Sequence, residues 1–349
     1  MIDMLLKNQE YIFYLVAIMI IGGVVRDHFY LHDVFGILIR KVKSKRLVLA
    51  LVSLFGGVLP IPGRVTTSAG ILDSLAPSKE KCSTCRHKFG IIDYLASHHY
   101  YLWSPLEKTI IMPIAALGLT YGAVLGYLWP LLAVTIAYIT YYIMFRIKEQ
   151  DIQLSLDAGF DIHKPRLFYG ALPLLLGIAS ITPWVGVPPQ WAFSALAIYY
   201  LCLSQTFALG DILSYIKWPL VVTLAVVIVA SNYAKSYYGE IEVFLENSQV
   251  LDINTTVGFV AISVLAFTSA FCLGSSSKFS GLVVILSSVY GLEYFVWFFA
   301  LEYSGYLVSP THKCMHIGRM YFNTPWGEYA KALGIWVALL LVAGVYSLV

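Results

Sequence analysis

Two short runs of small hydroxylated residues interrupt otherwise apolar sequence: Gly63-Arg64-Val65-Thr66-Thr67-Ser68 and Gly274-Ser275-Ser276-Ser277-Lys278-Phe279-Ser280. Hydroxyls of this kind, with backbone groups freed by a break, can replace the hydration shell of Na⁺ and donate to a carboxylate. The bland reading is that small residues only allow close helix packing. Arg64 and Lys278 lie within the runs; a cation at depth marks a pathway or counter-ion unless it snorkels to the interface. Each run precedes a copy of Tyr-Leu-x-Ser-Pro, at Tyr101–Pro105 and Tyr306–Pro310, which adds Ser104 and Ser309. Histidines flank both copies: His98 and His99 before the first, His312 and His316 after the second, with Cys314 between the latter two. His312 and His316 have the i, i+4 spacing of one helix face, which suits a metal, a proton relay or a hydrogen bond to a broken-helix carbonyl.

Other chemistry is weaker. Cys82-x-x-Cys85 has His87 beside it but no fourth ligand, so two free reduced thiols are expected; with Cys314 they are the minor metal candidates. Glu293 and Glu302 are candidate buried acids, with Glu302 alternatively reaching the outer interface. No phosphate loop, Gly-x-Ser-x-Gly elbow or His-Glu-x-x-His helix is present, so an enzyme is not expected.

The elements that position these groups are set by composition. Of 349 residues, 59% are hydrophobic and 12% charged, and mean hydropathy is +0.75; soluble domains carry about 25% charged residues. Such a chain is a polytopic helical membrane protein, which excludes nucleic-acid binding and a secreted disulfide scaffold; its five cysteines are scattered. Apolar runs of spanning length are Thr109–Tyr127, Trp129–Phe145, Leu167–Thr182, Trp191–Leu209, Trp218–Ser231 and Trp326–Val349, and Tyr11–Val25 reads as a retained first helix. Basic residues cluster at 40–46, 79–88 and 146–166, which should face the cytoplasm, while the acidic stretch 232–254 should lie outside. The segment 47–76 must then enter and return on one side, because its arms of 13 and 12 residues are too short to cross. Its Gly/Pro tip belongs at a wet or protein-lined site.

The fold expected is all-α and polytopic, with two inverted repeats, each holding a re-entrant hairpin and a broken helix. Residues 1–46 would form an N-terminal helix and basic loop, 47–166 the first repeat with hairpin 47–76, 167–254 connecting helices and an acidic outer loop, and 255–349 the second repeat with its tip at 274–281. The N-terminus would be outside and the C-terminus inside the cytoplasmic (inner) membrane of a prokaryote.

Three stretches, Gly56–Gly63, Ile92–Trp103 and Gly305–Cys314, resemble an uncharacterised family of integral membrane proteins grouped with gluconate permeases and, more distantly, with dicarboxylate and arsenite carriers of the ion transporter superfamily. The resemblance implies a two-repeat carrier with re-entrant hairpins, working as a homodimer by an elevator motion. The function expected is secondary transport of a small anionic solute coupled to Na⁺ or H⁺, with Na⁺ as a coupling ion and no other cofactor. The solute and the lipid bilayer are the expected partners. Alternatives are a metal-ion permease using His and Cys near 312–316, and a non-transporting membrane subunit of a larger complex. On a cysteine-free background, single cysteines at Ser44 and Ser248 should react with an impermeant maleimide from opposite sides of the membrane; labelling from one side only would overturn the orientation.

Overall fold

The computed structural model describes residues 9–27, 41–58, 69, 72–73, 75–77, 82–153, 167–181, 185–236, 240, 248, 251–274 and 276–348. All regular structure among them is helical. The helices are α1 (Gln9–Asp27), α2 (Lys45–Val58), α3 (Ser83–Ala96), α4 (Lys108–Leu117), α5 (Tyr121–Tyr141), α6 (Leu172–Ser180), α7 (Pro189–Ser204), α8 (Leu209–Tyr215) and α9 (Trp218–Ser236). They continue with α10 (Thr256–Leu273), α11 (Ser276–Tyr290), α12 (Phe295–Val308), α13 (Lys313–Phe322) and α14 (Trp326–Tyr346). Three helices, Tyr121–Arg146, Thr256–Leu273 and Trp326–Tyr346, are long and apolar enough to cross a membrane. The bent pair Leu209–Tyr215 and Trp218–Ala230, kinked by 58°, supplies a fourth candidate.

Several boundaries differ from the sequence expectation. The run from Thr109 breaks at Gly118, not near Leu128, because Gly118 takes a left-handed φ of 73° and closes α4. Thr120 then caps α5, its hydroxyl accepting from the Ala123 amide at 3.2 Å. Helix α5 continues through Pro130 and, by a π turn, to Arg146, so the two expected spans become a short helix and one long one. α7 stops at Ser204, where Gln205 turns left-handed. The break near 274 falls at Gly274 (φ 54°), and a second follows at Gly291 (φ 110°).

Two runs of the chain share a layout. α3 with the 3-10 turn His99–Leu102, the Ser104-Pro105 break, α4 and α5 compare with α12, the Ser309-Pro310 break, α13 and α14. α4 and α13 have 10 residues each and α5 and α14 have 21 each. Both connectors begin with a left-handed residue, Gly118 in one and Asn323 in the other. The offset is the one that separates Tyr101 from Tyr306, 205 residues. α5 and α14 run antiparallel: the Tyr138 hydroxyl donates to Ala332 O (2.9 Å) and Trp336 Nε1 to Thr135 Oγ1 (3.1 Å).

α12 is the axis of the bundle, buried from Phe295 to Leu307. α10 runs parallel to it, with Phe259 stacked on Trp297 and Ser309 bonded to Phe271. α11 returns antiparallel, Phe279 meeting Tyr306 and Tyr290 meeting Phe298. The α10–α11 turn is therefore level with the Ser309-Pro310 break. At the other end of α5, Lys45 Nζ bonds Ile152 O, Arg46 bonds Ile147 O and the Gln153 amide bonds Leu75 O. Lys88, Arg146 and Lys331 line one cavity there, so the described parts of the three basic regions gather at one end of the bundle.

Close crossings use glycine, as expected where helices approach without bulky side chains. A methyl at Gly305 would overlap Phe267 O, and one at Gly344 would meet Ala300 Cβ at 2.7 Å, whereas Gly327 faces open space. Gly305→Ala should lower the stability of the detergent-solubilised protein by about 1–3 kcal/mol, and Gly327→Ala should leave it unchanged, both read by thermal unfolding. Equal midpoints for the two variants would contradict the packing described.

Candidate functional site

Proline has no N–H, so Pro105 and Pro310 each leave a carbonyl one turn back, on Tyr101 and Tyr306, without its helical donor. Buried carbonyls need partners; Tyr306 O takes the Ser309 amide at 3.3 Å, and side chains supply the rest. The Thr109 hydroxyl donates to Tyr101 O at 2.6 Å, and His312 Nδ1 lies 3.1 Å from Tyr306 O. Tyr121 donates to Trp103 O (2.7 Å), Tyr94 to Leu307 O (2.6 Å), Tyr303 to His98 O (2.8 Å) and Tyr14 to Pro105 O. Where α10 ends, the Ser309 hydroxyl donates to Phe271 O at 2.5 Å. A methyl at Gly274 would overlap the Thr311 hydroxyl, so the turn can be this close to the break only with glycine there.

The two breaks meet. The hydroxyls of Tyr101 and Tyr306, the first residues of the two Tyr-Leu-x-Ser-Pro copies, are 3.0 Å apart. His98 Nε2 lies 3.2 Å from His312 Nε2, and both side chains are buried. The His312 ring stacks on Tyr306 with centroids 4.0 Å apart, and His98 packs on Tyr94 at 4.1 Å. Tyr94 Oη is 2.9 Å from His312 Nδ1, while His98 Nδ1 is 2.6 Å from Tyr94 O and 3.1 Å from Ser97 Oγ. Cys314, in the first turn of α13, joins the two histidines, the three ligand atoms lying within 4.8 Å of one another.

Of the residues singled out from sequence, the structure brings together His98, Ser309 and His312 at or beside this crossing. Ser104 is buried at the first break, its hydroxyl accepting from the Leu106 amide. His99 turns away: its Nε2 is 3.2 Å from Leu54 O on α2, and its Nδ1 accepts from Trp103 Nε1 at 2.8 Å. The i, i+4 pairing of His312 with His316 is not realised. His312 precedes α13, and His316 is spent on Pro310 O at 2.5 Å. Ser276, Ser277 and Lys278 form the first turn of α11. Arg64, Thr66, Thr67, Ser68 and Ser275 lie outside the described residues, as do the first hairpin tip and most of 232–254.

Cys82 and Cys85 are joined in a disulfide, contrary to the free thiols expected. Cys82 caps α3 and Cys85 lies one turn on, which brings their Cα atoms to 5.4 Å, within bridging range. As a disulfide the pair is no metal ligand. Glu302 is fully buried on α12; the Ser269 hydroxyl donates to its Oε1 at 3.1 Å, and its Oε2 has no partner among the described residues. Glu293 is exposed. Cavities of about 290 and 490 Å³ open near the basic end, the second beside Ser44 and Arg46; neither is lined by Ser104, Ser309 or His312.

Sequence reasoning missed the tyrosines. Tyr94, Tyr101, Tyr303 and Tyr306 are buried, and their hydroxyls bond Leu307 O, His98 O and each other across the two breaks. The available signal was that a buried Tyr needs a hydroxyl partner and that all four are within a dozen residues of a Ser-Pro.

No protein-family model matches the chain, and no curated protein matches it.

Thr109→Val and Tyr94→Phe each remove a hydroxyl donor from a buried carbonyl and should cost about 1–3 kcal/mol. Ser214→Ala, at an exposed hydroxyl, should cost nothing measurable. Denaturation of the three variants in one detergent checks this; wild-type stability in the first two would show the caps to be dispensable.

Proposed function

We propose that this chain is a secondary transporter for a small anionic solute, coupled to Na⁺ or H⁺ and built from two inverted repeats. The observation that carries the reading is the pair of broken helices, with equal segment lengths and antiparallel α5 and α14, whose breaks meet at Tyr101 and Tyr306. Inverted repeats with discontinuous helices meeting at mid-depth are the architecture in which carriers hold solute and coupling ion. In this reading α10 and α11 are the re-entrant hairpin of the second repeat. Their tip meets the broken helix, where freed backbone is tolerated in protein or beside water. The resemblance to gluconate permeases and dicarboxylate carriers points the same way.

Glu302 suits the coupling ion. A fully buried carboxyl with one oxygen on Ser269 marks an ion or proton path when it lies within a membrane bundle. Sidedness follows from the basic end being cytoplasmic. α5 then runs inward and α14 outward from Lys331.

Purified protein in liposomes should accumulate a labelled small carboxylate when a Na⁺ or pH gradient is imposed. Glu302→Gln should abolish the dependence on the gradient while the protein remains folded. A binding solute at 100 times its Kd should raise apparent stability by about 2.7 kcal/mol, which makes thermal shift the screen for candidates. Well-folded protein that neither binds nor moves any small anion, and that purifies with a stoichiometric partner, would favour a non-transporting subunit instead.

A further inference from the structure

The carbonyls around the two buried histidines define which nitrogen each presents. His98 Nδ1 is 2.6 Å from Tyr94 O, and His312 Nδ1 is 3.1 Å from Tyr306 O. A carbonyl only accepts, and the Tyr94 hydroxyl, 2.9 Å from His312 Nδ1, gives its own hydrogen to Leu307 O; with that arrangement Nδ1 carries the hydrogen in both rings and Nε2 presents a lone pair. Those Nε2 atoms face each other at 3.2 Å in a fully buried setting. Two lone pairs at that distance suit a single cation held between them.

The geometry points to a site for one zinc-class transition-metal ion held by His98, His312 and Cys314. Tetrahedral zinc with Zn–N bonds of about 2.0–2.1 Å places two ligand nitrogens about 3.3 Å apart, close to the 3.2 Å observed. The Cys314 sulfur is within 4.8 Å of a ring nitrogen of each histidine, against a roughly 3.6 Å N···S edge in such a site, so a side-chain adjustment at Cys314 completes it. Cys314 lies in the first turn of α13. The outer partners are already in place. Metal-bound histidine usually gives its other N–H to a backbone carbonyl, and Tyr94 and Tyr306 provide those carbonyls. His98 packs tilted against Tyr94 and His312 stacks on Tyr306, which holds both rings in place. An N₂S donor set suits Zn²⁺ and its spectroscopic substitute Co²⁺ over Mg²⁺ or Ca²⁺. His98 belongs to the first broken helix and the other two ligands to the second, so the ion would clasp the two halves. The assignment is independent of the transporter reading.

The test is metal binding by the full-length protein in detergent under reducing conditions, after chelator treatment. Zn²⁺ should be retained near one per chain through desalting, and Co²⁺ should give the near-ultraviolet thiolate-to-cobalt charge-transfer band of a cysteine-bound ion. Cys314→Ser should remove that band, and His98→Ala should weaken Zn²⁺ binding at least about tenfold, since even outer-shell losses weaken metal sites by about 10–100-fold. Cys82→Ser/Cys85→Ser and the exposed Cys202→Ser should bind as wild type. Should His98→Ala not fold, the isosteric Cys314→Ser decides alone. Folded wild-type protein that takes up neither ion would overturn the site and assign the histidine pair to a shared proton. So would a cobalt band that survives Cys314→Ser and vanishes in the Cys82/Cys85 variant.

Discussion

A backbone carbonyl that loses its helical donor inside an apolar bundle must find another one, and the centre of this protein is organised by that requirement. Two Ser-Pro breaks release carbonyls on Tyr101, Trp103, Tyr306 and Leu307; each is met by a threonine, tyrosine or histidine reaching from elsewhere in the chain. Because the donors for each break come partly from the other half, the caps also tie the halves together. Tyr94 is the clearest case: it stands on α3, bonds the carbonyl of Leu307 and touches His312. The glycines and aromatics around α12 serve the same end by letting the helices come close enough for those hydroxyls to reach.

Much of this was legible in the sequence, for physical reasons. Hydropathy and the scarcity of charge give the class, because a membrane helix advertises itself through one property summed over about 20 residues. The repeated Tyr-Leu-x-Ser-Pro was visible, and it marks both breaks. Helix limits were less legible: Gly118 ended a helix inside an apolar run that hydropathy alone could not divide, and Pro130, the more obvious breaker, sits within α5. Glu302 offered two readings from sequence, and burial chose between them.

The histidines show where local spacing fails. His312 and His316 have a helical interval, but the helix begins at Lys313, so the interval has no meaning for the first of the pair. His98 and His312 are 214 residues apart and meet because each adjoins its own Ser-Pro break. No window along the chain could show that. The Cys82/Cys85 pair erred in the other direction: a helix start brings the two sulfurs together with no help from distant sequence.

The bond between Tyr101 and Tyr306 joins two chemically identical groups, and either oxygen can be the donor. Rotating both hydroxyls reverses its polarity, so the same two oxygens can be joined in either direction. Each half can therefore be the giver or the receiver of hydrogen at the point of contact, and the choice is left to the charges nearby. A junction with that degeneracy can follow a change of charge on either side by flipping direction, with no heavy atom displaced.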